Sequence, residues 1–380
     1  MATISCFREM GIEIKIAGDQ VKILGKGLRG LSKPPKPLYV GNSGTTIRLI
    51  SGILAGQKFE SEISGDDSIQ KRPMKRIVWP LRDMGVDISG GKKNGEIFPP
   101  LRIRGGSIKP ISCKLPMASA QVKSCVLFAG LYAEGKTSVS EPSKSRDHTE
   151  RILEYFGVPI EINGNIVALK GPASLKGREI EVPGDISSAA YFMAAGSILP
   201  NSEVIIRNVG VNPTRTGIIE VLHRMGANVE VLDEELICGE PRANIKVLSS
   251  SHKLKAIEIG GELIPRLIDE IPIIAVLATQ AEGKTVIKNA RELRVKESDR
   301  IKTISSELKK MGAKIEEKDD GMVIYGPTEL KGAAVQSYGD HRIAMSMAIA
   351  GLAAESKTTI ENTECIETSF PGFEKKIGLM

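Results

Sequence analysis

Residues 216–231 read TGIIEVLHRMGANVEV, and this stretch contains the pattern that decides the fold. Its first ten residues place apolar side chains at the spacing of one helix face. Gly226 follows a large apolar residue, at the position where a left-handed glycine commonly ends a helix. The residues after Gly226 alternate as in a strand with one buried face. The stretch therefore predicts an amphipathic helix, a glycine cap and a strand.

The same pattern recurs along the chain, which indicates an internal repeat. A large apolar residue precedes a glycine, and a small or β-branched residue follows it. The five capping glycines are Gly11, Gly85, Gly157, Gly226 and Gly312. The four complete helices predicted before them are Pro73–Met84, Thr149–Phe156, Thr216–Met225 and Asp299–Met311.

A second motif lies upstream of each amphipathic helix and completes the repeating unit. A polar loop opens an apolar helix rich in small residues, as in GNSGTTIRLISGILAG at 41–56, and a strand follows. Helices that are apolar all round must be enclosed, so we expect bundles of helices walled by sheets. The repeat predicts an α/β protein of six βαβαββ-like units with a truncated first unit. Because Val182-Pro183-Gly184 breaks the pattern, we expect domains at 1–182 and 183–380, with three units in each.

Composition excludes several classes of protein. The net charge is only +6 and aromatic residues make up 4%, which argues against a nucleic-acid-binding platform and suits small anionic ligands. The longest apolar stretches are shorter than the ~18 residues of a membrane span, and no signal peptide is evident. Five scattered cysteines without a CxxC pair indicate reduced thiols in the cytoplasm and no metal site.

Residues 130–137, GLYAEGKT, match the phosphate-binding pattern GxxxxGK[ST]. That motif requires a strand before the loop and a helix after it, whereas an apolar helix precedes this loop and a strand follows. The same EGKT recurs at 282–285, at the equivalent place of a later unit. A turn after a helix therefore explains both copies better than a nucleotide site.

Several short strings of residues lie at the polar starts of helices and in the segments that connect elements. They carry side chains that are suited to binding anions. They are GNSGTTIR (41–48), RPM (72–74), SAQVK (119–123), SRDHTER (145–151), NPTR (212–215), PRLIDEIP (265–272), LRVKESDR (293–300), GDHR (339–342) and TSFP (368–371). Together and in this order they resemble the 3-phosphoshikimate 1-carboxyvinyltransferase (EPSP synthase) family over essentially the whole chain. SAQVK, RDHTE and NPTR are similar to its class II branch.

The resemblance implies a two-domain, inside-out α/β fold of the enolpyruvyl transferase type that closes on shikimate 3-phosphate and phosphoenolpyruvate. The 5-hydroxyl of shikimate 3-phosphate adds to C2 of phosphoenolpyruvate while the methylene carbon is protonated, and the intermediate then loses phosphate. The resemblance implies no metal or organic cofactor. From it we also expect a cytoplasmic, monomeric enzyme of aromatic amino acid biosynthesis that binds neither nucleic acid nor membrane.

Asp269 and Glu297 take the family's catalytic positions, and the addition needs both a base and an acid. Asp269 is expected as the base or anchor at the hydroxyl, although it could also be the N-cap of a helix at Ile271–Ala281. Glu297 is expected as the proton donor to the methylene. Its alternative is an ordinary surface charge, because nearly all residues of its segment are polar or charged.

Phosphoenolpyruvate carries a carboxylate and a phosphate, both suited to arginine forks. The resemblance assigns its contacts to Gly44, Arg72, Gln121, Arg300 and Arg342. Arg300 follows Glu297 by three residues, so on a helix the two would share a face. A helix-start glycine and an interfacial ion pair are the alternatives for Gly44 and Arg342. Glyphosate-tolerant relatives tend to carry alanine at the position of Gly44, so the glycine predicts room for that inhibitor.

Shikimate 3-phosphate is expected to contact residues of both predicted domains. The resemblance assigns Ser119, Ala120, Gln121, Arg146, Asp269 and Lys296 to it. Arg146 would pair with the 3-phosphate. Ser119 and Gln121 could instead only cap the helix that they begin, which is the commoner role of such residues.

The family opens with a Pro-Gly-x-Lys-Ser segment that has no counterpart in this sequence, and the first repeat unit lacks its opening loop and buried helix. We expect a start codon assigned too late, and a 380-residue chain that is poorly soluble or inactive by itself. Two alternatives remain open at this point. One is a UDP-N-acetylglucosamine enolpyruvyl transferase, which typically uses a loop cysteine, here Cys113. The other is an impaired homologue that only binds shikimate 3-phosphate.

Overall fold

All five capping glycines adopt the left-handed conformation, with φ between +81° and +94°. A side chain at such a φ is strained, which is why glycine recurs at these positions. The computed structural model describes residues 1–249 and 254–378. It divides into unit 1, Met1–Ile180, and unit 2, Glu181–Met380.

Unit 1 begins with a helix and a hairpin and continues with two complete repeats. The opening elements are α1 (Ala2–Glu9), β1 (Glu13–Ala17) and β2 (Gln20–Leu24). The first repeat contains β3 (Leu38–Tyr39), α2 (Gly44–Ala55), β4 (Glu60–Ser64), α3 (Asp67–Gln70), α4 (Lys75–Asp83), β5 (Asp87–Lys93) and β6 (Glu96–Arg104). The second contains β7 (Ser112–Lys114), α5 (Ala120–Gly130), β8 (Gly135–Ser140), α6 (His148–Tyr155), β9 (Ile160–Asn163) and β10 (Ile166–Gly171).

Unit 2 contains the later repeats. The first consists of α7 (Ile186–Ile198), β11 (Glu203–Gly210), α8 (Gly217–Arg224), β12 (Asn228–Ile237) and β13 (Glu240–Leu248). The next consists of β14 (Glu258–Ile259), α9 (Ile264–Leu267), α10 (Ile271–Gln280), β15 (Gly283–Ile287), α11 (Arg300–Lys310), β16 (Lys314–Lys318) and β17 (Gly321–Gly326). The chain continues through β18 (Ala334–Gln336), α12 (His341–Leu352), β19 (Thr359–Glu361) and α13 (Phe373–Ile377). Short 3₁₀ helices cover Gly261–Leu263, Ile268–Glu270, Arg291–Val295 and Thr363–Thr368.

The sheets repeat one topology, which confirms the unit predicted from the sequence. Three four-stranded sheets have the orders β3-β4-β6-β5, β7-β8-β10-β9 and β14-β15-β17-β16. In each, the first two strands are parallel and the remaining pairs are antiparallel. The sheet β11-β13-β12 lacks the first strand, but a parallel bridge between Gly184 and Val209 occupies its place. The βαβαββ repeat of the sequence therefore corresponds to one strand order that recurs from sheet to sheet.

The apolar helices form the core of each unit. In unit 2, α7, α10 and α12 pack on one another, and every residue from Ile271 to Thr279 is buried. In unit 1, α2 packs on α5. Because these helices carry small and aliphatic side chains on all faces, burial on all sides is the arrangement that removes their apolar surface from water. The prediction of enclosed helices is confirmed.

The segment that matches the phosphate-loop pattern has the order expected of a helix-ending turn. Helix α5 ends at Gly130 and β8 begins at Gly135, so the helix precedes the loop and the strand follows it. At the copy, 282–285, α10 likewise ends first, at Gln280, and β15 begins at Gly283. None of the helices in the described part of the chain is long and apolar enough to cross a membrane.

Candidate active site

In unit 1, two arginine side chains gather at the start of α2. Ser43 caps this helix, because its hydroxyl accepts a hydrogen bond from the Thr46 amide at 3.1 Å. A Cβ built on Gly44 would lie 2.8 Å from Nη1 of Arg48 and 2.9 Å from Nη1 of Arg72. Both guanidinium groups therefore lie against the backbone of the first turn. A helix N-terminus flanked by two cations is a site for an anion.

Gln121 joins this group from the start of α5. Its Oε1 accepts a hydrogen bond from Nη1 of Arg48 at 2.9 Å, and its Nε2 donates to Oγ1 of Thr45 at 2.8 Å. The side chain therefore links the first turns of α2 and α5. The interpretation of Gln121 as a simple helix cap is wrong, since its amide contacts another helix instead of its own backbone.

Ser119 occupies the N-cap position of α5, but its hydroxyl makes no capping hydrogen bond. Its backbone amide donates instead to Oε1 of Glu141, at 2.8 Å. The cap interpretation of Ser119 is therefore also wrong. Ala120 is the first residue of the helix, and Arg146 lies half-buried in the loop before α6.

In unit 2, Arg300 is held by three carboxylates. Its side chain is 2% exposed, with Nε 2.8 Å from Oδ2 of Asp340. Its Nη2 donates to Oε2 of Glu297 at 2.7 Å, and its Nη1 lies 3.3 Å from Oδ1 of Asp269. Burial opposes the charge of this guanidinium, but Asp340 and Glu297 outweigh it, so the pKa of Arg300 is raised. The two carboxylates predicted to be catalytic thus meet on one cation.

Glu297 reaches Arg300 from a bend and not from a helix. The preceding 3₁₀ helix ends at Val295, and α11 begins only at Arg300, with Asp299 as its N-cap. The prediction that both residues share a helix face is therefore wrong in its geometry, although the ion pair that it implied is present. Glu297 is exposed, as the surface-charge alternative expects, but its carboxylate pairs with a buried arginine.

Asp269 lies in the 3₁₀ helix Ile268–Glu270, immediately before α10. The N-cap of α10 is Glu270, so the cap interpretation of Asp269 is wrong. Its Oδ1 lies 3.5 Å from Nζ of Lys296 in addition to its contact with Arg300. Lys296, predicted as a substrate contact, is therefore brought to Asp269.

Arg342 lies in the first turn of α12, as predicted, and is half-buried. Its backbone amide donates to Oδ1 of Asp340 at 2.9 Å, and its side chain hydrogen-bonds Tyr191. Burial opposes its charge, but Tyr191 and Asp269 outweigh that effect and raise the pKa of Arg342. The site thus holds a permanently charged guanidinium at a helix start.

A second buried carboxyl group lies beside this cluster. Ser187 donates to Oε1 of Glu270, and Arg215 donates to Ser187 at 2.6 Å and to Oδ1 of Asp185 at 3.0 Å. Burial raises the pKa of Glu270. Arg215 belongs to the NPTR string, which the sequence singled out without a role for this residue.

Sequence reasoning missed several residues of these clusters. They are Arg48, Lys123, Glu141, Glu150 and Asp340. All but Glu141 lie inside strings that the sequence had singled out, so those strings were the available signal. Glu141 precedes SRDHTER by four residues and carries no local signal, because its contact with Ser119 spans 22 residues.

Cys113 lies in strand β7 and is buried, not on a loop. Burial raises the pKa of its thiol to about 11. A thiol in that state is a poor match for an acid on a mobile loop, which removes the observation that kept the UDP-N-acetylglucosamine alternative open. Within residues 1–249 and 254–378, no group of three or more His, Cys, Asp or Glu side chains is arranged to hold a metal ion.

Comparisons with known proteins identify the family of this chain. The family model described as EPSP synthase (3-phosphoshikimate 1-carboxyvinyltransferase) matches residues 1–377. A 3-phosphoshikimate 1-carboxyvinyltransferase from Bacillus cereus strain B4264 is 58% identical over 375 residues, which cover 98% of this chain and 86% of that protein. The enzyme of that name from Bacillus thuringiensis strain Al Hakam is 57% identical over 377 residues, 99% of this chain and 87% of that protein.

Solved structures show the same fold. EPSP synthase from Acinetobacter baumannii superimposes with a TM-score of 0.89 at 46% identity, covering 100% of this chain and 86% of that one. The enolpyruvyl transferase NikO from Streptomyces tendae shares the fold alone, with a TM-score of 0.78 at 18% identity and the same coverage of both chains. On the family match, the close relatives and the paired carboxylates at Arg300, this chain belongs to the EPSP synthase family.

Proposed function

We propose that Asp269 and Glu297 carry the reaction of this family in this chain. The reaction transfers the enolpyruvyl group of phosphoenolpyruvate to the 5-hydroxyl of shikimate 3-phosphate and releases phosphate. The observation that carries the proposal is the buried Arg300, whose guanidinium contacts both carboxylates at 2.7 and 3.3 Å. A cation shared by two carboxylates fixes them close together and can exchange one of them for a substrate anion.

Phosphoenolpyruvate contacts are assigned in each unit. In unit 1 the ligand would meet Arg72, Gln121 and the backbone of Gly44, where the start of α2 already favours an anion. In unit 2 it would meet Arg300 and Arg342. Both remain charged at any physiological pH, and the planar fork of arginine matches carboxylate and phosphate oxygens.

Shikimate 3-phosphate contacts are assigned in the same way. In unit 1 we assign the hydroxyl group of Ser119, the Ala120 backbone, Gln121 and Arg146 to this ligand. Arg146 would contact the 3-phosphate. In unit 2 we assign Lys296 and Asp269 to the ring hydroxyls. Support comes from the uncapped geometry of Ser119 and from the 3.5 Å approach of Lys296 to Asp269.

The chemistry follows from these groups. Asp269 accepts the proton of the 5-hydroxyl as the oxygen bonds to C2 of phosphoenolpyruvate, and Glu297 gives its proton to the methylene carbon, which becomes a methyl group. In the second stage the C–O bond to phosphate breaks, Asp269 passes the proton of the 5-hydroxyl to the leaving phosphate, and the methyl group returns a proton to Glu297. The enol double bond is thereby restored, now attached to the 5-oxygen.

The contact between Arg300 and Glu297 gives substrate binding a way to convert Glu297 into a proton donor. Beside a guanidinium a carboxyl group prefers its charged form. When the carboxylate of phosphoenolpyruvate takes Nη2 of Arg300, Glu297 loses that partner and its tendency to hold a proton rises. Binding of the substrate thereby prepares the group that protonates it.

Calorimetric titration and a phosphate-release assay test the function. We expect binding of shikimate 3-phosphate, and phosphate release that needs both substrates. Activity with UDP-N-acetylglucosamine in place of shikimate 3-phosphate would favour the other transferase. Binding of shikimate 3-phosphate without any turnover would favour a protein that only binds it. Failure to bind shikimate 3-phosphate would contradict the proposal.

We further propose that the protein works as a cytoplasmic monomer without nucleic-acid partners. None of the five cysteines, all of which lie in the described part of the chain, forms a disulfide, and reduced thiols suit a reducing compartment. Light scattering on the purified protein tests the oligomeric state, and fractionation of the source cells tests the location. A dimer in solution or a membrane-associated fraction would contradict them.

A further inference from the structure

A buried charge cluster lies beneath the helix starts of unit 1, outside the residues assigned to substrates. We call Lys123, Glu141 and Glu150 the Glu141 cluster. Nζ of Lys123 lies 3.0 Å from Oε2 of Glu141 and 2.7 Å from Oε1 of Glu150, and all three side chains are at most 2% exposed. Charges buried this deeply are costly unless they are fully paired, so an ion cluster in this place calls for a reason beyond stability.

Glu141 takes over a task that Ser119 would otherwise perform for itself. An N-cap serine normally turns its hydroxyl back to accept from its own helix. Here Ser119 makes no such bond, and its backbone amide donates to Oε1 of Glu141. The main chain is therefore fixed through the amide, and the hydroxyl stays available for another partner.

The other oxygen of Glu141 fixes the loop that carries Arg146. Oγ of Ser145 donates to Oε2 of Glu141 at 2.7 Å, and the Ser145 amide lies 3.4 Å from the same oxygen. Arg146 is the next residue along the chain. One carboxylate thus holds the residue that bears the proposed hydroxyl contact and the residue adjoining the proposed phosphate contact.

We propose that Glu141 is a positioning residue for shikimate 3-phosphate, which sets the relative placement of Ser119 and Arg146 through its two oxygens. This inference rests on the proposed function, since it takes the ligand of these two residues from there. The role belongs to Glu141 and not to the cluster as a whole, because among the described residues Glu150 pairs with Lys123, whereas Glu141 is the carboxylate that accepts from Ser119 and from Ser145.

Two charge-matched variants separate positioning from simple stability. In Glu141→Gln one side of the amide becomes a donor, so either the Ser119 amide or the pair Ser145 and Lys123 loses its acceptor. In Glu150→Gln the amide oxygen can still accept from Lys123, and the NH₂ group takes the place of Oε2, which has no partner in the structure. Both variants remove one carboxylate from the same buried cluster.

We expect Glu141→Gln to raise both the calorimetric Kd and the KM for shikimate 3-phosphate about tenfold, the order expected when a charge-assisted hydrogen bond is lost. Its kcat at saturating substrate should stay within threefold, and Glu150→Gln should keep both constants within twofold of the unchanged protein. If the two variants weaken binding equally, or if Glu141→Gln binds normally, the proposal is overturned.

Two further variants complete the design. If Glu141→Gln does not fold, Ser145→Ala decides, because it removes one bond to Glu141 without leaving a buried charge unpaired. We expect it to weaken binding about threefold, and unchanged binding would overturn the proposal. Ser119→Ala separates the proposed contact of Ser119 with shikimate 3-phosphate from the positioning role of Glu141. If Ser119→Ala binds as the unchanged protein does, the proposed contact fails. If Ser119→Ala binds weakly while Glu141→Gln binds normally, only the positioning role is contradicted.

Discussion

Nε of Arg300 lies 2.8 Å from Oδ2 of Asp340, and the two side chains are 2% and 0% exposed. The other oxygen of Asp340 accepts from the backbone amide of Arg342 and so caps α12. One buried carboxylate therefore fixes both arginines that unit 2 is proposed to offer to phosphoenolpyruvate. It aims the guanidinium of Arg300 and starts the helix that presents Arg342.

Replacing Asp340 by asparagine should destabilise unit 2 and weaken phosphoenolpyruvate binding. Removing one partner of a buried ion pair costs about 3 kcal/mol in free energy of unfolding. Urea unfolding at pH 7 measures this loss. We expect the KM for phosphoenolpyruvate to rise together with it, because Arg300 loses the partner that orients it.

The pH dependence of this loss is an internal control. Burial raises the pKa of Asp340, but the charge of Arg300 outweighs it, so the pKa is lowered from its ordinary 3.8. The stabilisation is therefore present above pH 3.8 and is lost as the pH falls through the pKa of the folded state. The difference between Asp340→Asn and the unchanged protein should shrink on acidification. A difference that stays constant down to pH 2 would contradict this account.

Glu297→Gln should abolish most turnover while leaving the fold intact. The amide oxygen can still accept from Arg300, but the side chain no longer gives a proton to the methylene carbon. A catalytic acid contributes about 10²- to 10⁴-fold to the rate, so kcat should fall by that factor. The phosphate-release assay measures it. Turnover within threefold of normal would remove Glu297 from the mechanism, and unchanged shikimate 3-phosphate binding serves as the control for folding.

Gly44→Ala should weaken phosphoenolpyruvate binding without unfolding the protein. The new Cβ would lie 2.8 Å from Nη1 of Arg48 and 2.9 Å from Nη1 of Arg72, which are the ends of flexible side chains and can move aside. Moving them displaces the cations at the start of α2, so we expect about tenfold weaker binding, the order of one disturbed charge-assisted contact.

Glyphosate provides the comparison for Gly44→Ala. We expect the affinity of this variant for glyphosate to fall more than its affinity for phosphoenolpyruvate, because glyphosate is the longer ligand and meets the methyl group first. Gly25→Ala is the matched control, because a Cβ there meets nothing within 4 Å. Competition assays measure both ligands. Equal losses for the two would show that the methyl group does not discriminate between them.

Glu150→Gln should gain stability relative to the unchanged protein as the pH rises. Burial raises the pKa of Glu150 above its ordinary 4.5, and the neighbouring Lys123 only partly offsets this. A carboxyl group with a raised pKa contributes stability below its unfolded pKa and loses it as the pH rises through the folded pKa. Glutamine never ionises, so the two proteins should unfold alike near pH 4 and diverge toward pH 7. Thermal unfolding across this range measures the divergence, and parallel curves would contradict it.

The repeat was predictable because its signals are local. A glycine at Gly85 or Gly226 is needed wherever a helix ends in a left-handed residue, and periodicity of apolar side chains reports burial within a few residues. The structure differs from the predicted helices only at their ends, as in α4, which begins at Lys75 and not at Pro73. Cap positions are harder to predict, because backbone partners elsewhere decide them.

The sequence identified the candidate residues by type and position, but it did not identify the partners with which they interact. Their strings marked where charges lie, but sequence alone could not say whether Ser119 caps its helix or leaves its hydroxyl for a ligand. That choice depends on Glu141, which lies 22 residues away in the sequence. Asp269 posed the same problem, and its contact with Arg300 spans 31 residues.

The sequence by itself therefore determined the repeating unit, the buried helices, the family and the types of residue that are proposed to meet the substrates. The tertiary structure alone decided which charges pair, since Arg300 could equally have served a surface carboxylate had α12 not brought Asp340 to it. The physical reason is the separation along the chain of the residues that interact. Backbone conformation and burial are set by neighbours within one or two turns, whereas an ion pair forms only where the packing of distant elements brings two charges within hydrogen-bonding distance and removes the water between them.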